Sequence, residues 1–165
     1  MIDPEDLAGF AAFGEEGPIY HDGHNRNYIL LKIGKTCAYL TSAGEPAADG
    51  VKKVFREALA ARPLIQVHKY LIDLTAYYGT IDWKAGNEVR ELVTWQGAKY
   101  VAAYVVRDEA GAILAKSLAR ANAVSKIATF KTRQDAQVWL DTSEALDVEP
   151  HYRRASAPHS SFASS

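Results

Sequence analysis

Tyr70-Leu-Ile-Asp-Leu-Thr75 is an apolar run broken by a single acid, followed by Tyr77-Tyr78-Gly79 and a new helix signal at Asp82. A second run, Tyr100-Val-Ala-Ala-Tyr-Val-Val106, ends at Arg107-Asp108 and gives way to another helical pattern. Runs rich in β-branched and aromatic residues with helices between them are the mark of parallel strands whose sheet is covered on both faces by crossover helices. The two stretches therefore predict an α/β domain.

Elements on either side extend this pattern. Upstream, Asp3 is placed to cap a short helix that Pro4 opens and Gly14 with Gly17-Pro18 ends. Ile19-Tyr20-His21, a turn at Asp22-Gly23-His24-Asn25, a strand from Asn27 to Ile33, a turn at Gly34-Lys35 and a strand from Thr36 to Thr41 predict an antiparallel meander. From Pro46 to Arg62, Val51, Val54, Phe55, Ala58 and Leu59 fall on one helical face, and Pro63 stops the helix. Downstream, Asp82 is set to cap a helix ending near Gly97, Gly111 introduces a helix ending near Asn122, and Ile127 to Phe130 is a short last strand. Thr132-Arg133-Gln134-Asp135 has the form of a capping box and opens a final helix with Ala136, Trp139 and Leu140 on its apolar side. After Glu144 the periodicity fades into a serine-rich end, where a disordered, flexible tail is expected over 144–165. Arg153-Arg154-Ala155-Ser156 within it has the look of a basophilic kinase target, although arginine pairs beside serine are common in tails that no kinase touches.

Composition excludes several classes of function. The chain has 165 residues, 48% hydrophobic and 24% charged, which suits one soluble domain with its own core. Its 19 basic and 20 acidic residues nearly cancel, so no global field draws it to nucleic acid or to an anionic membrane. No apolar run approaches the roughly 20 residues that cross a bilayer, and integral membrane association is not expected. Cys37 is the single cysteine, and Asp3, Glu5 and Asp6 stand where a signal peptide would carry positive charge, so a cytoplasmic location is expected.

The strands at 27–33 and 36–41, the helix at 47–61 and the strand–helix pairs at 68–95, 99–122 and 127–142 give the order ββαβαβαβα. With the landmarks Tyr70 to Thr75, Ile81-Asp82, Val101 to Arg107, Ala128-Thr-Phe-Lys131 and Ala136 to Leu140, this order resembles the STAS domain family. More narrowly it resembles the SpoIIAA-like group related to bacterial anti-sigma-factor antagonists and, remotely, to CRAL-TRIO lipid carriers. The resemblance covers about 26–142 and implies a mixed β-sheet in a domain spanning 19–143, preceded by an N-terminal helical extension over 1–18. In the phosphorylated antagonists the second helix opens on an Asp-Ser-Ser-Gly-like turn that carries the phosphoacceptor. Here the matching turn is Asp82-Trp83-Lys84-Ala85-Gly86, with no hydroxyl at that place. What the resemblance implies is a non-catalytic regulatory or binding module for a protein partner or an apolar small molecule, without the phosphorylation switch; a homodimer is compatible with it.

In an open sheet, ligands sit beyond the carboxyl ends of parallel strands. That rule selects Asp73, Tyr77, Tyr78, Asp82, Trp83, Lys84 and Arg107 as the partner- or ligand-binding set, with Lys131 beside them. Each has a plainer role as well. Asp82 suits the capping of backbone N–H groups, and the aromatics suit core and rim packing. Asp73 interrupts a buried strand and must find hydrogen bonds, a cation or a proton, and Arg107 at the adjacent strand end is its expected partner. His21, Asp22 and His24 are types that a metal accepts, but no further histidine or cysteine stands near to complete a set, and a solvated turn is expected. His68 is expected at a strand edge and Cys37 as a small packed group. No nucleophile elbow, Cys–His pattern or phosphate-binding glycine loop is present, so neither a cofactor nor a metal is expected. The alternative is a small enzyme, of hydrolase or isomerase type, that uses Asp73 in a strand-end pocket.

Overall fold

The structure, a computed structural model, describes residues 1–61, 67–79, 101–121 and 126–142. The expected helix at 82–95 and the expected C-terminal tail lie outside the described residues. In chain order the elements are α1 (Pro4–Ala12), β1 (Ile19–His24), β2 (Asn27–Ile33), β3 (Cys37–Ala43), α2 (Ala48–Ala61), β4 (Lys69–Asp73), β5 (Val101–Val105), α3 (Glu109–Ala121), β6 (Lys126–Phe130) and α4 (Arg133–Leu140).

The strands form one six-stranded sheet in the order β1-β2-β3-β4-β5-β6. The first two pairings are antiparallel, as the expected meander requires, and β3 to β6 run parallel. All residues of β3 and β5, and all of β2 after Asn27, are buried. Continuous burial of this kind needs cover on both sides, and the helices supply it. On one face, Val54, Phe55 and Ala58 of α2 and Ala115 and Ala119 of α3 pack with Ile29, Leu31, Leu40, Tyr70 and Tyr104. On the other, Phe10 of α1 and Ala136 and Leu140 of α4 pack with Leu30, Tyr39, Leu71, Ala103 and Val105.

Local signals account for the element boundaries. Asp3 Oδ1 accepts the Glu5 N–H at 2.8 Å at the start of α1, and Thr132 Oγ1 accepts the Asp135 N–H at 3.1 Å at the start of α4. The third described helix begins at Glu109, two positions before the expected Gly111, because Asp108 Oδ1 takes the Gly111 N–H at 2.8 Å and caps the first turn. The first hairpin corrects the sequence reading. His21 to His24 belong to β1, and the loop is the two-residue Asn25-Arg26, with Asn25 at φ 55° as a tight hairpin demands. Gly23, at φ 107°, serves a close approach inside the strand: a Cβ there would strike the Asn27 carbonyl.

Candidate functional site

Thr41, Asp73, Val105 and Phe130 lie side by side across β3 to β6, and the last three are the final residues of their strands. Asp73 is the charged member of this row and is only 6% exposed. It shares a strand face with Leu71, whose side chain joins the core under α1 and α4, so its carboxylate belongs to that side of the sheet. There both of its oxygens are engaged. Oδ2 accepts from Arg133 Nε at 2.7 Å, while Oδ1 accepts from the Thr75 N–H at 2.9 Å and from Thr75 Oγ1 at 2.7 Å. Arg133 Nη2 also reaches Thr41 Oγ1 at 3.4 Å. A carboxylate with a bonded guanidinium and two further donors is a local tie between β4, the following turn and α4.

Arg107 is not the partner of Asp73, contrary to expectation. It lies beyond the end of β5, where its Nη1 donates to the Thr75 carbonyl at 3.0 Å, its Nε stands 3.8 Å from Asp108 Oδ2, and its Cζ lies 4.4 Å from the ring centroid of Tyr78. Tyr78 is 71% exposed. Its backbone is nonetheless fixed. The Tyr78 N–H donates to the Gly44 carbonyl at 2.8 Å, the Gly44 N–H to the Ala76 carbonyl at 2.7 Å, the Tyr77 N–H to the Leu74 carbonyl at 3.1 Å and the Leu74 N–H to the Val105 carbonyl at 2.8 Å. Tyr77, by contrast, turns inward and packs partly buried against the core under α2 and α3. The expected set is thus divided: Asp73 serves the α1/α4 side, Tyr77 the opposite core, and Tyr78 with Arg107 the outer rim. Asp82, Trp83 and Lys84 lie outside the described residues.

A solved structure gives this arrangement a name. An uncharacterized protein of the DUF3478 family from Shewanella loihica PV-4, described as having a SpoIIAA-like fold, superimposes with a TM-score of 0.54 at 16% identity, covering 72% of this chain and 98% of that one. The fold is SpoIIAA-like. No protein-family model matches the chain, and no curated protein matches it.

Two more polar arrangements mark the α1/α4 side of this SpoIIAA-like sheet, and sequence reasoning named neither. Lys32 is 1% exposed in the middle of β2, and its Nζ donates to the carbonyls of Ala11 at 3.1 Å, Phe10 at 3.4 Å and Phe13, at the C-terminal end of α1. Burial pushes its pKa below the usual lysine range, with the Arg133 charge adding to the effect. Near the other end of α1, Tyr28 Oη donates to Asp6 Oδ2 at 3.1 Å. Burial, then the hydrogen bond to Asp6 and its charge, raise the Tyr28 pKa to about 12, with Arg133 opposing. In the sequence Arg133 stands inside the capping box that opens α4. The signal that could have found it is the need of Asp73 for a cation, since Arg133 stands three residues past the last strand and Arg107 two past its own.

Other sites behave simply. Cys37 is buried, and burial lifts its thiol to about 12. Lys131 is exposed just past β6. Among the described residues, no three histidine, cysteine, aspartate or glutamate side chains come together as a metal would require, and no helix is long and apolar enough to cross a membrane.

Proposed function

We propose that this SpoIIAA-like chain is a non-catalytic, regulatory binding module of the cytoplasm that engages a protein partner at the rim beyond its parallel strands. One observation carries the choice. Tyr78 presents a largely exposed ring on a turn held by four backbone hydrogen bonds, with the Arg107 guanidinium stacked on it. Aromatic and arginine side chains dominate the energetics of protein interfaces, and a contact that is ordered beforehand loses little entropy on binding. The engagement of Asp73 supports the same reading, because three of the roughly four acceptor sites of its carboxylate are taken by Arg133 and Thr75. An apolar small molecule is the other occupant for this end of the sheet, and the aromatic rim suits it as well.

The test is a comparison of variants with equally exposed residues. A partner that co-purifies with the wild-type chain from its host should be lost with Tyr78→Ala and weakened with Arg107→Ala, yet kept with Val138→Ala, whose side chain is 61% exposed on α4. Equal recovery by the Tyr78 and Val138 variants would remove the rim from consideration.

A further inference from the structure

The helix α1 and the face beneath it are opposite in charge. From Met1 to Asn25 the chain has six acids, Asp3, Glu5, Asp6, Glu15, Glu16 and Asp22, and no lysine or arginine. The face carries Lys32, Arg133 and Asp73, the last two paired with each other at 2.7 Å. The Lys32 ammonium sits at the open carbonyls that end α1, where the helix dipole is negative, while the Tyr28 hydroxyl meets Asp6. Between these points Phe10 is 3% exposed against the sheet, and Phe13 stands edge-on to Tyr39 with ring centroids 6.0 Å apart. The Arg133 Cζ lies 5.9 Å from the Phe13 centroid.

Ile2, buried in the same core, and the partly buried Leu7 add to these contacts. A helix of nine residues with Gly9 inside it falls below the ~12–15 residues that an isolated helix needs, so its order depends on the surface it covers. At its start Ile2 bridges Asn25, and the Asn25 N–H donates to the Met1 carbonyl at 3.0 Å. The chain after it is anchored differently. Gly14 turns at φ 73°, and Glu15 is then clasped by the N–H groups of Thr36 at 2.9 Å and Cys37 at 3.0 Å and by the Thr36 hydroxyl. The fixed point is therefore Glu15, and Gly14 is the place about which the preceding residues could swing. Opening would return the Lys32 ammonium to water, which offsets part of the lost contact.

We propose that α1 is the releasable resident of a docking groove formed by Tyr28, Lys32, Tyr39 and Arg133, and that the groove's external occupant is an acidic helix of a protein partner that presents a phenylalanine where Phe10 now sits. Charge complementarity selects that chemistry: the Lys32 ammonium suits helix-end carbonyls and the Tyr28 phenol suits a carboxylate. This groove is separate from the Tyr78 rim.

A fluorescein-labelled peptide of residues 1–16, followed by anisotropy with the full-length chain, tests the idea. With the groove occupied in cis, apparent affinity scales with the fraction of open molecules. Phe10→Ala in the protein loosens the resident helix without altering the groove and should tighten peptide binding by about tenfold or more. Asp6→Ala, a change at an exposed position, should do the same by about threefold and serves if the first variant fails to fold. Adding Lys32→Glu to either variant should abolish binding, whereas Tyr78→Ala should leave it unchanged. The proposal is overturned if the loosened variants, folded by circular dichroism, bind no more tightly than wild type, or if Lys32→Glu leaves their binding intact.

Discussion

Arg133→Met is the most informative single change, because it asks whether Asp73 is held for structure. The substitution keeps an unbranched side chain of similar reach and removes the group that donates to Asp73 Oδ2 at 2.7 Å. Taking one partner from a buried ion pair costs about 3–5 kcal/mol, since the other charge is left without compensation. Two features reduce that figure here. The Arg133 side chain is 30% exposed, and Asp73 keeps both Thr75 donors. The expected loss is therefore about 2–3 kcal/mol, after the screening that partial exposure brings. At roughly 2–4 °C per kcal/mol for a chain of this size, Tm should fall by about 4–12 °C.

Asp73→Asn should cost about 2 kcal/mol, as a neutral amide would then face the guanidinium. The double variant should lose less than the sum, with a coupling of about 1–3 kcal/mol. Urea unfolding followed by far-UV circular dichroism supplies all four corners of the cycle. Strict additivity, or an Arg133→Met chain within about 0.5 kcal/mol of wild type, would show that the pair is not a structural tie. An Asp73→Asn chain with wild-type stability would reopen a catalytic part for this acid.

Three other outcomes follow from named groups. The raised thiol of Cys37 makes the folded state hold a proton that the unfolded state releases, so stability present below about pH 9 should be lost as pH rises towards about 12. Tyr28 acts in the same direction and Lys32 in the opposite one, and Cys37→Ala should flatten the alkaline slope of urea midpoints. For Glu15, burial raises the pKa but the hydrogen bonds from Thr36 and Cys37 outweigh it, so its contribution is present above pH 4.5 and lost as pH falls through the lowered value; Glu15→Gln should flatten the acid limb of the same titration. Gly14→Ala should lower stability by about 1–2 kcal/mol in thermal melts, because alanine resists the positive φ and its Cβ would meet the Tyr39 ring.

The parallel strands were legible because burial on both faces leaves a local signature. Tyr70 to Asp73 and Val101 to Val105 carry it, and each lies within a described strand. The capping signals at Asp3 and Thr132 were legible for the same reason, since the accepting side chain and the donating N–H stand within three residues of each other. The hairpin was misplaced by two residues because glycine marks both turns and close approaches within strands, and only the register tells them apart. The partner of Asp73 was missed for a non-local reason. Which helix start lies over which strand end depends on how the crossovers place α4, and neither Arg107 nor Arg133 announces that placement in its neighbours. Lys32 is the extreme case: a lysine in a strand suggests solvent, and its burial follows from the carbonyl ends that α1 brings to it.

The two sides of the sheet are built on different principles, and the difference bears on function. Under α2 and α3 the core is apolar with tyrosines as its polar-tipped members, an arrangement that stabilises without regard to exact orientation. Under α1 and α4 lie Lys32, Thr41 and Asp73, all buried, and both helices are attached through them or their neighbours: α1 by Lys32 and Tyr28, α4 by the Asp73–Arg133 pair and by Tyr39 Oη, which lies 2.9 Å from Gln137 Oε1. Buried polar pairs add little net stability compared with apolar packing, yet each fits only one geometry and one kind of partner. A helix seated by such contacts is held in a defined place at modest strength, and a competitor offering the same acceptors meets a surface already shaped for it. The α1 side therefore has the selectivity that the proposed exchange would require, and the α2 side has the apolar bulk that would keep the sheet intact during it.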